Sequence, residues 1–482
     1  MWVLPDFQSS IWWINILLAT LVIYLRRHKS ARSTMMWVMI FAFLPVIGFV
    51  LYLFWGQDYR RAKMFRLKAE QDEMVRRFAD AQSQEIQQGL LPYNDPSIGK
   101  YSGLISLNLH SDNSYYSQGN QCELFFDGKS KFEALFRDID GAKQSIDLQY
   151  YIMKPDEIGW ALMNRLEKAA ARGVAVRMLV DAVGGRYLSQ REFQFLQNAG
   201  VRVAVFFPSL LKPINFRMNY RNHRKLAVID QQISYIGGFN VGDEYAGKDR
   251  YFGRWRDTHL RIQGTASADL QIRFLKDWLY ASGDDPSEQP DVISFPMPCG
   301  DVGLQLVTSG PDTQFHNIKY AMINLISSAE RTIYIQTPYL VPDAAVMDVL
   351  TAKLIAGCEV NIMLPDRPDH PVIYWATMSY AGELLRAGAR VYCYNAGFLH
   401  AKVLIVDELV SIVGSANMDE RSFSLNFEAS EVIYNRRINA QLREQFQRDI
   451  EESTLITMES YEQRPLMQRI KEPVARLFSP LL

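Results

Sequence analysis

The chain is poor in the residues that build several common functional classes. It holds 4 cysteines in 482 residues (Cys122, Cys299, Cys358 and Cys393), none of them in a C-x-x-C pair. That spacing argues against a disulfide scaffold and against a cysteine-rich zinc site. Neither sign of charge is in excess: 52 Lys and Arg face 53 Asp and Glu, a formal net charge of −1. A nucleic-acid coat needs a basic surface, so this balance excludes a broadly basic chain and leaves room only for a local patch. Apolar residues, by contrast, make up 48% and charged residues 22%, the balance of a folded chain rather than a disordered one. At roughly 150 residues per domain, the length predicts about three units.

The apolar residues are unevenly spread. Met35 to Trp55 carries no charge, and its 21 residues are enough to cross a hydrocarbon core of about 30 Å as a helix. Pro45 and Gly48 are tolerated in membrane helices. An earlier run, Ile11 to Leu25, reaches spanning length when extended back to Gln8, and Trp12 and Trp13 fit an interfacial belt. A signal peptide needs positive charge before its apolar run, whereas Arg26, Arg27, Lys29 and Arg32 follow it. The reading is therefore a two-helix transmembrane hairpin over 1–58. Basic residues are nearly matched between the inter-helix loop and the segment after Trp55, so the positive-inside rule leaves orientation open. Residues 59–99 read as a juxtamembrane helix or linker whose basic start faces anionic headgroups.

The remainder is a duplication. Ala134–Asp156 and Ala321–Asp343 align without gaps at an offset of 187, each as helix, β-rich strand and Pro-Asp turn. Gly173 to Val180 likewise parallels Gly357 to Leu364. Short apolar strands between helical segments predict α/β units around a buried sheet. The expected organisation is two homologous α/β halves, 100–290 and 291–482, around a shared active site.

Each half then carries the same polar motif. The first has His223, Lys225 and Asp230 in an H-x-K-x4-D pattern, followed after six residues by Gly237, Gly238 and Asn240. The second has His400, Lys402 and Asp407, followed at the same spacing by Gly414, Ser415 and Asn417. One such match arises by chance in a few per cent of chains this long; two with a shared downstream spacing do not. In a strand, His and Lys at i and i+2 project from one face. An imidazole beside an ammonium fits phosphoryl chemistry: one attacks or protonates, the other stabilises charge on the oxygens. The glycines let backbone approach a ligand, and the asparagines add donors.

These paired motifs resemble the phospholipase D superfamily. The N-terminal hairpin, the Gly414–Glu428 and Thr337–Asp343 segments and the closing Leu477-Phe-Ser-Pro-Leu-Leu482 resemble bacterial cardiolipin synthases. The resemblance implies a bacterial inner-membrane phosphatidyltransferase acting by ping-pong transfer. One histidine attacks phosphatidylglycerol and the other protonates the departing glycerol. A second phosphatidylglycerol then takes the phosphatidyl group to give cardiolipin. By family tendency His223 is the nucleophile and His400 the acid/base, while Lys225, Lys402, Asn240 and Asn417 hold phosphate oxygens. No metal or other cofactor is expected, since the lysines supply positive charge. One neutral and one protonated imidazole are needed together, and a carboxylate on the far nitrogen fixes each tautomer. Asp257 and Glu428, which follow their respective motifs, are the predicted orienting carboxylates; Asp230 and Asp407, at strand ends, read as more structural than chemical. Of the remaining histidines, His28 sits in the inter-helix loop, His110, His316 and His370 have no partner at metal or triad spacing, and His259, two residues after Asp257, reads as a strand residue rather than a ligand.

Two further segments point at a bilayer: Ser209 to Asn222, an apolar and basic insertion before the first motif, and the mixed apolar and basic stretch Leu466 to Leu482. The partners expected are phosphatidylglycerol and membrane lipid, not nucleic acid, and oligomeric state is left open. A lipid hydrolase, a transferase with another acceptor alcohol, a nuclease of the same superfamily and a non-catalytic scaffold are the alternatives. The hairpin and the net charge weigh against a nuclease, and the intact His and Lys in both halves weigh against a scaffold.

Overall fold

The computed structural model describes residues 17, 19–21, 24, 31–44, 48, 51–52, 73–208, 220–284 and 296–479. Most of the Ile11–Leu25 run, the end of the second apolar run, residues 59–72, the 209–219 insertion and the last three residues lie outside them. Among the described residues no helix is long and apolar enough to cross a membrane. The described residues of the N-terminal unit include helix α1 (Ala31–Phe43), which starts before the uncharged run and includes Arg32. Trp37, Phe41 and Tyr52 are buried together there, with the Trp37 and Tyr52 rings edge-to-face at 5.2 Å.

The main body opens with α2 (Glu73–Gln87) and α3 (Ser102–Asp112). The first half follows as β1 (Ser117–Asp127), α4 (Gly128–Gly141), β2 (Ser145–Tyr150), α5 (Glu157–Ala171), β3 (Ala175–Asp181), α6 (Gln190–Asn198), β4 (Arg202–Phe206), β5 (Arg221–Asn222), β6 (Leu226–Ile229), β7 (Ile233–Gly237), β8 (Arg254–Gln263) and α7 (Ser267–Ser282). The second half begins β9 (Val302–Ser309), α8 (Asn317–Ser328), β10 (Thr332–Gln336), β11 (Leu340–Val341), α9 (Ala344–Ile355), β12 (Glu359–Pro365), α10 (Pro371–Arg386) and β13 (Arg390–Tyr394). It continues β14 (Gly397–Leu399), β15 (Val403–Val406), β16 (Val410–Gly414), β17 (Met418–Asp419), α11 (Glu420–Ser424), β18 (Asn426–Tyr434), α12 (Arg436–Glu451), β19 (Ser453–Ile456), α13 (Met458–Glu462) and α14 (Leu466–Leu477).

Each half builds the same sheet. The first runs β1-β8-β7-β6-β2-β3-β4, with β2, β3 and β4 parallel. The second runs β9-β18-β16-β15-β10-β12-β13, with β10, β12 and β13 parallel, and adds β19 at its edge. The parallel strands are almost wholly buried, as expected where helices cover one face and another sheet the other. Asp156 and Asp343, from the repeated Pro-Asp turns, each cap the helix that follows by accepting an N–H of its first turn. The sheets meet through an apolar layer in which Leu226, Val228, Ile236 and Leu260 join Val403, Ile405, Val413 and Ala429. Helix α3 packs with the second half, its Leu104, Ile105 and Leu109 lying among Ile318, Leu325 and Val432.

Among the described residues, three pairings tie the halves together. β1 lies antiparallel to β9. The other two are reciprocal: β5, which leads into His223, pairs in parallel with β18, and β14, which leads into His400, pairs in parallel with β8. Each motif therefore enters the site along a strand of the opposite half.

Candidate active site

The reciprocal pairing decides which side chains meet. The His223 N–H donates to the Phe427 carbonyl at 2.9 Å, and that of His400 to the Arg256 carbonyl at 2.7 Å. These anchors place each imidazole beside the next residue of the opposite strand. His223 Nδ1 lies 2.9 and 3.1 Å from the two Glu428 carboxylate oxygens. His400 Nδ1 lies 2.7 Å from Asp257 Oδ2. With Nδ1 engaged by an acceptor, the Nε2 of each ring is its available reactive atom.

The two carboxylates are held differently. Glu428 also accepts the Ser415 hydroxyl and, at 3.2 Å, the Asn426 amide. Asp257 accepts the Thr258 N–H at 2.7 Å. Gly238 stands where the second half has Ser415, and a Cβ there would sit 2.0 Å from Asp257 Oδ1, so glycine makes room for the carboxylate. Both acids are fully buried. Burial pushes each of them up, but cations outweigh it: Lys402 and His400 bring Asp257 below the usual carboxylate range, and His223 and Lys225 do so for Glu428.

Burial acts the opposite way on the bases. It is the main cause that lowers His223 and takes His400 down to about 4, each also depressed by its motif lysine. Burial likewise brings Lys225 to about 7 and Lys402 to about 8. The Lys225 ammonium donates to the His223 carbonyl at 2.8 Å, and Lys402 to the His400 carbonyl. The Lys402 charge also acts on His223 and the Lys225 charge on His400, so two imidazoles and two ammonium groups share one buried site, a setting in which a phosphodiester anion gains strong electrostatic stabilisation.

The other predicted residues are placed as follows. Asn240 donates to the Tyr245 hydroxyl at 3.3 Å, and its side-chain oxygen accepts the Ile152 N–H at 3.1 Å. Asn417 is buried, with its backbone N–H on the Ser422 hydroxyl at 3.2 Å. Asp230 and Asp407 are not brought to the histidines. Seven residues of mostly extended chain put each about 20 Å from its histidine. Asp230 instead accepts the backbone N–H groups of Lys143, Gln144 and Ser145, and Asp407 those of Glu330, Arg331 and Thr332. Both have positive φ, near 50°, a left-handed turn held by these triple contacts.

Several site residues escaped the sequence reading. Behind His223, the Arg224 guanidinium donates to Asp277 at 2.8 and 2.6 Å and to the Glu428 carbonyl at 3.1 Å, while Gln149 donates to Asp277 at 2.8 Å. Behind His400, Arg256 donates to Asp449 at 2.9 Å, and Gln336 donates to the same acid at 2.7 Å. Gln149 and Gln336 differ by the repeat offset of 187, the signal that marks them as equivalent. Aromatic rings flank both imidazoles: Tyr151 lies 5.0 Å from His223, and Trp255 lies 5.2 Å from His400. Among the described residues no group of three or more His, Cys, Asp and Glu side chains is arranged to hold a metal ion.

The family model for the PLD-like domain of cardiolipin synthase matches residues 135–272 and 322–450, one stretch in each half. The chain belongs to the cardiolipin synthase family. A second model, the phospholipase D-nuclease N-terminal segment, matches residues 13–57. The chain is similar to the major cardiolipin synthase ClsA of Bacillus subtilis, 45% identical over 474 residues and 97% of each chain. It is 44% identical to the cardiolipin synthase of Oceanobacillus iheyensis over 469 residues, again 97% of each chain. Among solved structures, the phosphatidylserine synthase of Haemophilus influenzae shares the fold, with a TM-score of 0.62 at 14% identity over 79% of this chain and 100% of that one.

Proposed function

We propose that the chain joins two phosphatidylglycerol molecules into cardiolipin and glycerol through a phosphatidyl-histidine intermediate. The observation that carries this is the pair of carboxylate-held imidazoles in one site, each beside its own lysine. The Nε2 of His223 attacks phosphorus, forming a P–N bond as the P–O bond to the headgroup glycerol breaks. His400, protonated, gives its proton to that oxygen. A primary hydroxyl of a second phosphatidylglycerol then loses its proton to His400 and attacks phosphorus, and the P–N bond breaks. Lys225 and Lys402 stabilise the charge on the phosphoryl oxygens, and Asn240 and Asn417 complete the cradle. Glu428 and Asp257 are positioning residues that set the tautomers.

Burial of the imidazoles supports transfer to an alcohol over water, since a dry site protects the intermediate from hydrolysis. Residues 1–58 form a two-helix transmembrane hairpin in a bacterial inner membrane, followed by a juxtamembrane segment to 99 and the two halves 100–290 and 291–482. The N-terminal family match over 13–57 supports a dedicated anchor there.

The test is product analysis by mass spectrometry of the full chain with phosphatidylglycerol in mixed micelles, beside His223→Ala and His400→Ala. Cardiolipin and glycerol, lost in both variants, are expected. Phosphatidic acid as the main product would make the chain a hydrolase. An alkaline denaturing quench, in which the acid-labile P–N bond survives, should trap the phosphatidyl group on His223; recovery on His400 would reverse the two roles.

A further inference from the structure

Helix α14 is apolar on the side that faces solvent. Leu466, Met467, Ile470, Val474, Leu477 and Phe478 recur at helical spacing and are 45–71% exposed. The opposite side holds Glu472 and Ala475, both buried. Arg464 and Tyr461 engage the Glu472 carboxylate, and Arg476 pairs with Glu383 at 2.6 Å. Glu472 is the helix's one acid, so its exposed charges are the cations Arg469 and Lys471. An apolar stripe flanked by cations and free of exposed acid has the chemistry of a helix lying in a lipid interface. A water-facing helix would carry polar residues there.

The position of α14 fits that partner. It runs alongside α10 in the same direction: Lys471 lies over the Trp375 ring at 4.6 Å, Arg476 over the Tyr380 ring at 4.2 Å, and the Tyr380 and Ser479 hydroxyls meet at 3.1 Å. The Leu466 end therefore lies toward the start of α10, where Val372 is also 42% exposed. Two residues before α10, Asp369 bonds the Tyr339 hydroxyl and is near enough to Lys402 for their charges to interact. The apolar stripe thus leads toward the catalytic lysine.

We propose that the exposed face of α14 lies in the headgroup region of an anionic lipid leaflet and holds the site mouth against the surface that supplies the substrate. The motive, though not the surface chemistry, rests on the lipid-substrate reading above. A second protein would cover the stripe equally well, but the paired cations match an anionic surface.

The test uses the full chain reconstituted in vesicles of phosphatidylglycerol and phosphatidylcholine. Nitroxide is placed at Ile470→Cys or Val474→Cys in a Cys299→Ser background, with exposed Glu451→Cys on α12 as control. The α14 labels should meet dissolved oxygen more readily than a water-soluble nickel chelate, and the control the reverse. Greater exposure to the chelate, or spin–spin broadening from a second copy of the chain, would overturn the proposal. In parallel, Ile470→Glu with Val474→Glu should raise the KM for vesicle phosphatidylglycerol by roughly tenfold and leave turnover of a short-chain, monomeric phosphatidylglycerol unchanged. An unchanged vesicle KM would also overturn it. Failure of the unaltered chain to turn over either substrate would count against the catalytic reading instead, and the nitroxide result would still decide the surface.

Discussion

His400 and Asp257 meet at 2.7 Å across 143 positions of chain, one from each half of the duplication. His223 and Glu428 repeat the relationship across 205 positions. The histidine–carboxylate pairs are thus crossed between halves, and neither half holds a complete unit.

Crossing predicts how variants combine. Asp257→Asn should lower kcat for cardiolipin formation on the order of 10³-fold, since an amide no longer selects the reactive tautomer. Adding it to His400→Ala should cost little more than His400→Ala alone, because residues that act as a unit are not additive. Steady-state kinetics of the two single variants and the double variant check this; a multiplicative double loss would uncouple the pair.

The depressed lysines set the alkaline limb. Lys225 near 7 and Lys402 near 8 lie far below the ordinary 10.5, so in the free enzyme their charge is lost as pH rises through that range. His400 near 4 is neutral through most of the acid range. Because the mechanism needs His400 protonated, kcat/KM should decline as pH rises above about 4, and a steeper alkaline limb should set in above about pH 7–8 as the lysines lose charge, since free-enzyme ionisations govern that parameter. An alkaline limb above pH 9 would contradict the lysine assignment.

Gly238→Ser is expected to inactivate although serine is native at the equivalent position 415. The added Cβ would meet Asp257 Oδ1 at 2.0 Å and displace the carboxylate from His400. Activity should fall to the level of Asp257→Asn while the thermal transition shifts far less; wild-type kcat would refute the contact.

Asp230→Ala should act on stability and leave the chemistry intact. It removes the acceptor for three backbone N–H groups of the turn before β2, a loss of about 1–3 kcal/mol. Tm should drop, while kcat per folded molecule stays within about threefold of the parent. Asp449→Ala should cost more, about 3–5 kcal/mol, because it strands the Arg256 guanidinium in the core.

Much of this protein is readable along the chain, because its information is periodic. Strands such as Leu226–Ile229 and Val403–Val406 are short apolar runs, their helices start at Asp caps, and the 187-residue offset repeats both. The His-Lys spacing survives in each copy because i and i+2 on a strand share a face, a local rule that needs no tertiary knowledge. Even Asp257 and Glu428 stand out as acids at corresponding places after each motif.

What the chain order does not contain is the exchange between halves. That depends on β5 lying on β18 and β14 on β8, two-residue and three-residue pairings too short to carry a pattern of their own. The buried ties Arg224–Asp277 and Arg256–Asp449 were hidden for a related reason. A charged residue normally marks a solvated position, and only the packed structure shows that these four are desolvated and paired. Local spacing marked out the groups to which the chemistry is assigned; the long-range strand pairing, fixed by burying two sheets against each other, decided which of them touch.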